Sequence, residues 1–108
     1  MKPQIPAVVT TYFEASNAND IASLVACFTQ DASVTDENQT HRGAAEIKAW
    51  AEETRRRFQF KTEVLQAIES GDGALVTAKV SGNFPGSPAE LDFKFTVIEN
   101  KIGALEIS

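Results

Sequence analysis

Apolar residues recur along this chain with two different periods, and the switches between them divide it into elements. Ile5, Val8, Val9, Tyr12 and Phe13 fall at helical spacing and predict a first helix from Pro6 to about Ser16. Asn17-Ala18-Asn19 closes it, and Asp20 is a suitable N-cap for a second helix. There Ile21, Leu24, Val25 and Phe28 fall at i, i+3, i+4 and i+7. After Asp31 the period drops to two: Ala32, Val34 and Asp36 share one strand face, and Ser33, Thr35 and Glu37 the other. A polar loop, Asn38 to Arg42, leads to Gly43. From Ala44 to Phe58 the helical period returns, with Ile47, Trp50, Ala51, Thr54 and Phe58 in one stripe.

Everything beyond reads as strand. Phe60 to Glu69 is rich in apolar and β-branched residues, and Ser70-Gly71-Asp72-Gly73 is a turn. Val76, Ala78, Val80, Gly82 and Phe84 then alternate with Thr77, Lys79, Ser81 and Asn83. The Phe84-Pro85-Gly86-Ser87-Pro88 stretch turns the chain. Leu91, Phe93, Phe95 and Val97 alternate with Asp92, Lys94 and Thr96, and Glu99-Asn100-Lys101 leads to a last strand, Ile102 to Ile107. Short turns imply antiparallel neighbours, and a sheet with one apolar face needs a cover, which the three helices supply. The expected class is α+β, with the helices segregated on one face of a curved antiparallel sheet.

Composition narrows the setting. A chain of 108 residues fits one domain, spanning 1–108, and 43% apolar content is that of an ordinary globular protein. Fifteen acidic residues against ten basic, a net charge of −5, argue against nucleic acid or an anionic membrane as partner. The one basic cluster, Arg55-Arg56-Arg57, follows Glu52-Glu53 and reads as a solvated helix face. The lone Cys27 excludes an internal disulfide and sits in an apolar run, where a thiol behaves as a small buried hydrophobe. Met1 to Pro6 lacks an apolar leader core, and no stretch approaches a membrane span, so a cytoplasmic location is expected.

Two positions suggest chemistry. Asp36 shares the inward face with Ala32 and Val34, where a carboxylate is costly unless paired, hydrogen-bonded or protonated, and where burial suits a general base. The alternative is that the strand ends near Thr35 and Asp36 opens the polar loop. Tyr12 lies on the apolar stripe of the first helix; its hydroxyl either donates to a ligand or caps a backbone carbonyl.

The runs Tyr12 to Ile21 and Phe28 to Asp36, with Arg42-Gly43-Ala44-Ala45-Glu46-Ile47-Lys48-Ala49-Trp50, resemble nuclear transport factor 2-like domains, in particular the SnoaL-like and ketosteroid-isomerase-like branch. The resemblance covers almost the whole chain. It implies a cone-shaped fold of the cystatin-like roll type, closing over a pocket, and a homodimer formed through the sheet. It implies Asp36 as the base that moves a proton between carbons, and Tyr12 as the donor to the enolate oxygen. A second, protonated aspartate on a late strand, as in the ketosteroid isomerase site, is replaced here by Phe95, with Phe93 and Val97 beside it on the inner face. Phenylalanine cannot donate, and loss of one such donor costs about two to three orders of magnitude in rate, so efficient steroid isomerisation is not expected.

His41, at the entry to the third helix, is either an exposed loop residue or part of the pocket mouth. Trp50, Val80, Phe84, Phe93 and Phe95 are expected to line an apolar cavity. No phosphate loop, nucleophile elbow or metal cluster is present, so neither cofactor nor metal is implied. Three readings stand: a cofactor-independent isomerase, cyclase or hydratase acting on a small hydrophobic molecule, a non-catalytic binding module, and an association domain using Leu75, Ile98 and one face of the last strand.

Overall fold

The computed structural model describes residues 5–108. Its elements are α1 (Ala7–Asn17), α2 (Ile21–Ala26), β1 (Phe28–Asp36), β2 (Gln39–Arg42), α3 (Gly43–Phe58), β3 (Lys61–Ser70), β4 (Gly73–Ser81), β5 (Ala89–Ile98) and β6 (Lys101–Ile107). Among the described residues these form three helices on a six-stranded sheet of order β2-β1-β6-β5-β4-β3. The class is α+β. The inward position expected for Phe58 concerns a side chain outside the described part of the structure.

Asp20 caps α2 as its sequence suggests: its carboxylate accepts from the Ser23 backbone N–H at 3.1 Å and from the Ser23 hydroxyl at 2.7 Å. The helix is shorter than the apolar spacing predicts. Cys27 closes it with a bond to the Leu24 carbonyl, and its own carbonyl accepts from Ile102 N at 2.7 Å. That bond draws the chain into the sheet one residue later, so Phe28 begins β1 instead of ending α2.

The polar segment after β1 is also not a loop. Glu37 and Asn38 both hold positive φ, 53° and 63°, which is the two-residue hairpin turn whose twist matches the flanking strands. Gln39 to Arg42 therefore pairs back on β1, with Asp36 opposite Gln39 and Val34 opposite His41. Glu99 and Asn100 (φ 50° and 68°) repeat the device between β5 and β6.

Strands joined by short turns pair antiparallel, but β6 lies parallel to β1. Short turns constrain only neighbours in sequence; β1 and β6 are joined through α3 and four strands, so no turn sets their direction. The register slips in β1 against β6, after Val64 in β3, and between Thr96 and Val97 in β5. Bulges of this kind bend a sheet, and they curve this one around the helices.

Val9, Val34, Ile47, Val76, Ile102 and Leu105 are fully buried between helices and sheet. On the β3–β5 side Ile68, Leu75 and Ile98 stay 38–52% exposed, and Ile68 pairs directly with Leu75. No described helix is long and apolar enough to cross a membrane.

Candidate functional site

The strands leave the helices uncovered at one end of the sheet. The C-terminal ends of β1, β4 and β6 and the N-terminal ends of β3 and β5 converge there. A cavity of about 420 Å³ opens among them, within the range of small-molecule sites. Its apolar wall is Trp50, Phe60, Val80, Phe84, Leu91, Phe93 and Ile107. Its polar groups are few: Tyr12, Ser16, Asp36, Glu37, Thr54, Arg57 and Thr62.

Asp36, Tyr12 and Thr62 are held by identifiable contacts. Asp36 is the last residue of β1, half-buried at the rim. Trp50, one turn beyond the buried Ile47 on α3, donates its indole N–H to Asp36 Oδ2 at 3.1 Å. The bond fixes the carboxylate and leaves Oδ1 without a hydrogen-bond partner among the described residues. Tyr12 is 4% exposed and wedged edge-on against Phe13, Phe28 and Phe95 at centroid distances of 5.1, 5.9 and 5.4 Å. Its hydroxyl bonds to no described residue. Burial is the main cause that pushes the Tyr12 phenol well above its ordinary range, and the nearby Asp36 charge pushes the same way. The phenol is therefore a permanent donor and not a base.

Thr62 is held against α1 by a two-way amide clamp: Asn17 Nδ2 donates to its carbonyl at 2.8 Å, and its N–H donates to Asn17 Oδ1 at 2.9 Å. Cys27 lies in the core outside the cavity. Its thiol, pushed up by burial and donating to the Ser23 carbonyl at 3.3 Å, is no nucleophile. Among the described residues no group of His, Cys, Asp and Glu is arranged to hold a metal.

The cavity brings together Tyr12, Asp36, Trp50, Val80, Phe84 and Phe93. It does not include His41, Phe95 or Val97. His41 sits on β2 beside Trp50, ring centroids 6.3 Å apart, two residues back from the rim. Phe95 is 3% exposed and packs on Tyr12 and Phe13 in the core. Val97 lies farther toward the closed end, past the β5 bulge, opposite Ile102. Alternation gives the face of a strand but not how far along it the cavity extends. Phe84 lines the wall from the β4–β5 loop, since β4 ends at Ser81.

Sequence reading overlooked Ser16, Thr54, Leu91, Thr62 and Ile107. Ser16 stands one helical turn after Tyr12 on the inward stripe, which was the available signal. Of the solvated face expected of Arg55-Arg56-Arg57, Arg56 and Arg57 stay exposed and Arg55 departs from it. Arg56 pairs with Glu53 at the surface, Arg57 also lines the cavity, and Arg55 folds inward over Phe60, its guanidinium 4.7 Å from the ring.

A carboxylate and a phenol donor on one apolar cavity can take a proton from carbon and stabilise the charge that results. Comparison with known proteins places the chain in a family. Residues 9–99 match the SnoaL-like domain. A provisionally named polyketide cyclase from Sinorhizobium meliloti has 40% identity and a TM-score of 0.94, covering 96% of this chain and 95% of that one. A protein from Catenulispora acidiphila with a ketosteroid-isomerase-like fold, solved with trimethylamine, shares 19% identity at a TM-score of 0.85, with 97% and 86% covered. The epoxide hydrolase/cyclase-like enzyme SalBIII, which has a role in pyran ring formation in the polyether salinomycin, shares 19% at a TM-score of 0.77, with 94% and 86% covered. At that identity the last two speak for the fold alone. No curated protein matches the chain. The chain belongs to the SnoaL-like family of the nuclear transport factor 2-like superfamily.

Proposed function

We propose that the cavity binds a small hydrophobic carbonyl compound and that Asp36 and Tyr12 catalyse its isomerisation or cyclisation without a cofactor. The observation that carries this reading is the pairing of Asp36, oriented by Trp50 with one oxygen uncommitted, with the unpartnered Tyr12 hydroxyl on the same apolar cavity. A carboxylate oxygen of Asp36 takes a proton from the carbon next to the carbonyl. The C–H electrons form the C=C of an enolate, and Tyr12 O–H donates to the developing oxygen anion. For isomerisation Asp36 returns the proton to another carbon. For cyclisation the enolate carbon bonds to a second carbonyl carbon, and the resulting alkoxide takes the proton from Asp36. The cyclase-type name of the Sinorhizobium protein supports this class of reaction.

The test is a screen of enolisable ketones and polyketide-like compounds. Occupancy is followed by the indole N–H signal of Trp50, the one tryptophan of the chain. A compound that shifts this signal and is converted by the wild type but not by Asp36→Asn, with binding retained, is the expected result. Conversion at equal rates by both proteins would refute Asp36 as base.

We also propose a homodimer through the outer sheet face, supported by the adjacent, exposed Ile68 and Leu75 and by Ile98. The outer parity of β6 contributes little to it, since Glu106 is exposed there. A cytoplasmic setting accords with the free thiol of Cys27.

A further inference from the structure

A smaller lobe adjoins the inner side of the cavity, between α1, α2 and α3. Its volume is about 10 Å³, and it shares Tyr12, Ser16, Trp50, Thr54 and Phe60 with the main space. A space of that size holds one oxygen-sized group. Arg55 forms part of its wall. The guanidinium is pinned there: Nη1 donates to the Phe60 carbonyl at 2.6 Å, and the group lies over the Phe60 ring. With these contacts made, the Nε–H of Arg55 is buried and has no acceptor. Buried N–H groups nearly always have one, so this donor calls for an oxygen. Ser16, 5% exposed, and Tyr12 line the same lobe, and neither side-chain hydroxyl bonds to a described residue.

We propose that the lobe is an oxygen-recognition site: a ligand in the main cavity places one carbonyl, enolate or phenolate oxygen there, and Arg55 Nε–H donates to it beside the hydroxyls of Tyr12 and Ser16. This rests on the main cavity being a ligand site. It supplies from α3 the additional donor that Phe95 cannot provide from the sheet. The preferred ligand is a flat hydrophobic molecule with a single oxygen at one end, and the positive charge of Arg55 favours its anionic form. The same charge acts on the Tyr12 phenol, opposing the effect of its burial.

The test compares 2-naphthol with 2-methylnaphthalene, which replaces the hydroxyl by a methyl group, using the Trp50 indole signal for occupancy and the Arg55 Nε–H signal for the lobe. Wild type is expected to bind 2-naphthol at least about tenfold more tightly, with the Arg55 signal shifted by that compound alone. In Arg55→Met the preference is expected to shrink to about twofold or less, while 2-methylnaphthalene binds as before. The Arg55 signal of the wild type decides the matter without the variant, should Arg55→Met not fold. Equal affinities, or an unmoved Arg55 signal with Trp50 shifted, would overturn the oxygen site and leave the cavity reading intact. No shift at Trp50 with either compound would overturn both.

Discussion

Tyr12 keeps its proton because its ring is enclosed by helix and sheet, and that has a consequence for stability. In the unfolded chain a tyrosine ionises near pH 10, whereas burial, reinforced by Asp36 and Cys27, keeps the native phenol protonated well beyond that. Above about pH 10 the native state binds more protons than the unfolded one, so stability falls as pH rises, by about 1.4 kcal/mol per unit for this group. Below that pH its contribution is constant. Tyr12→Phe keeps the edge-on ring contacts and removes this slope. Urea unfolding between pH 8 and 11 is expected to show the wild type losing stability more steeply than the variant; parallel curves would show that the phenol is not enclosed. The raised Cys27 thiol acts with the same sign from a lower pH, and equally in both proteins. Asp36→Asn retains a carbonyl to accept from Trp50, so its stability should stay within about 1 kcal/mol of wild type. A loss above about 3 kcal/mol would mark Asp36 as a structural acceptor.

The strands show where pattern suffices and where it does not. Helix positions and the inward parity of Asp36 follow from the spacing of apolar residues, which the fold must bury. β2 was illegible because Gln39-Thr40-His41-Arg42 has nothing to bury, and its turn uses Glu37-Asn38 at positive φ without a glycine. Gly73 is a case in which backbone contact fixes identity. A Cβ there would lie 1.8 Å from the Phe95 carbonyl oxygen, in a neighbouring strand that cannot yield without breaking the β4–β5 pairing. At Gly103 the nearest obstacle is the tip of Ile98, a side chain that can turn aside. Gly73→Ala is therefore expected to cost about 2–4 kcal/mol and Gly103→Ala about 1 or less, as read by urea midpoints. The reverse order would contradict the register described.

The whole molecule divides its sheet between two tasks. The inner face builds core at one end and cavity at the other, which explains why Phe93 lines the cavity and Phe95, two residues on, does not. The distinction was invisible in the sequence, since both residues have the same parity and the same side chain. Arg55 was missed for a related reason: a charge run reads as solvated surface, and only the packing of Phe60 beneath the guanidinium turns it inward. The outer face carries Ile68, Leu75 and Ile98 in the open, in a chain with net charge −5 that otherwise favours solubility. Sedimentation should show a dimer for the wild type and a monomer for Leu75→Glu, with unchanged helix content. A wild-type monomer at tens of micromolar, roughly where weak dimers still assemble, would contradict this use of the face.

Whether Asp36 moves a proton on a carbonyl ligand can be read from hydrogen–deuterium exchange at carbon. trans-2-Decalone is incubated in D₂O with wild type and with Asp36→Asn, and loss of the signals of the protons next to the carbonyl is followed by NMR while Trp50 reports binding. Exchange well above the buffer rate is expected with wild type, and about 10²-fold or more slower exchange with the variant at equal occupancy. Bound ketone that exchanges no faster than in buffer, or equally fast with Asp36→Asn, would contradict Asp36 as the base.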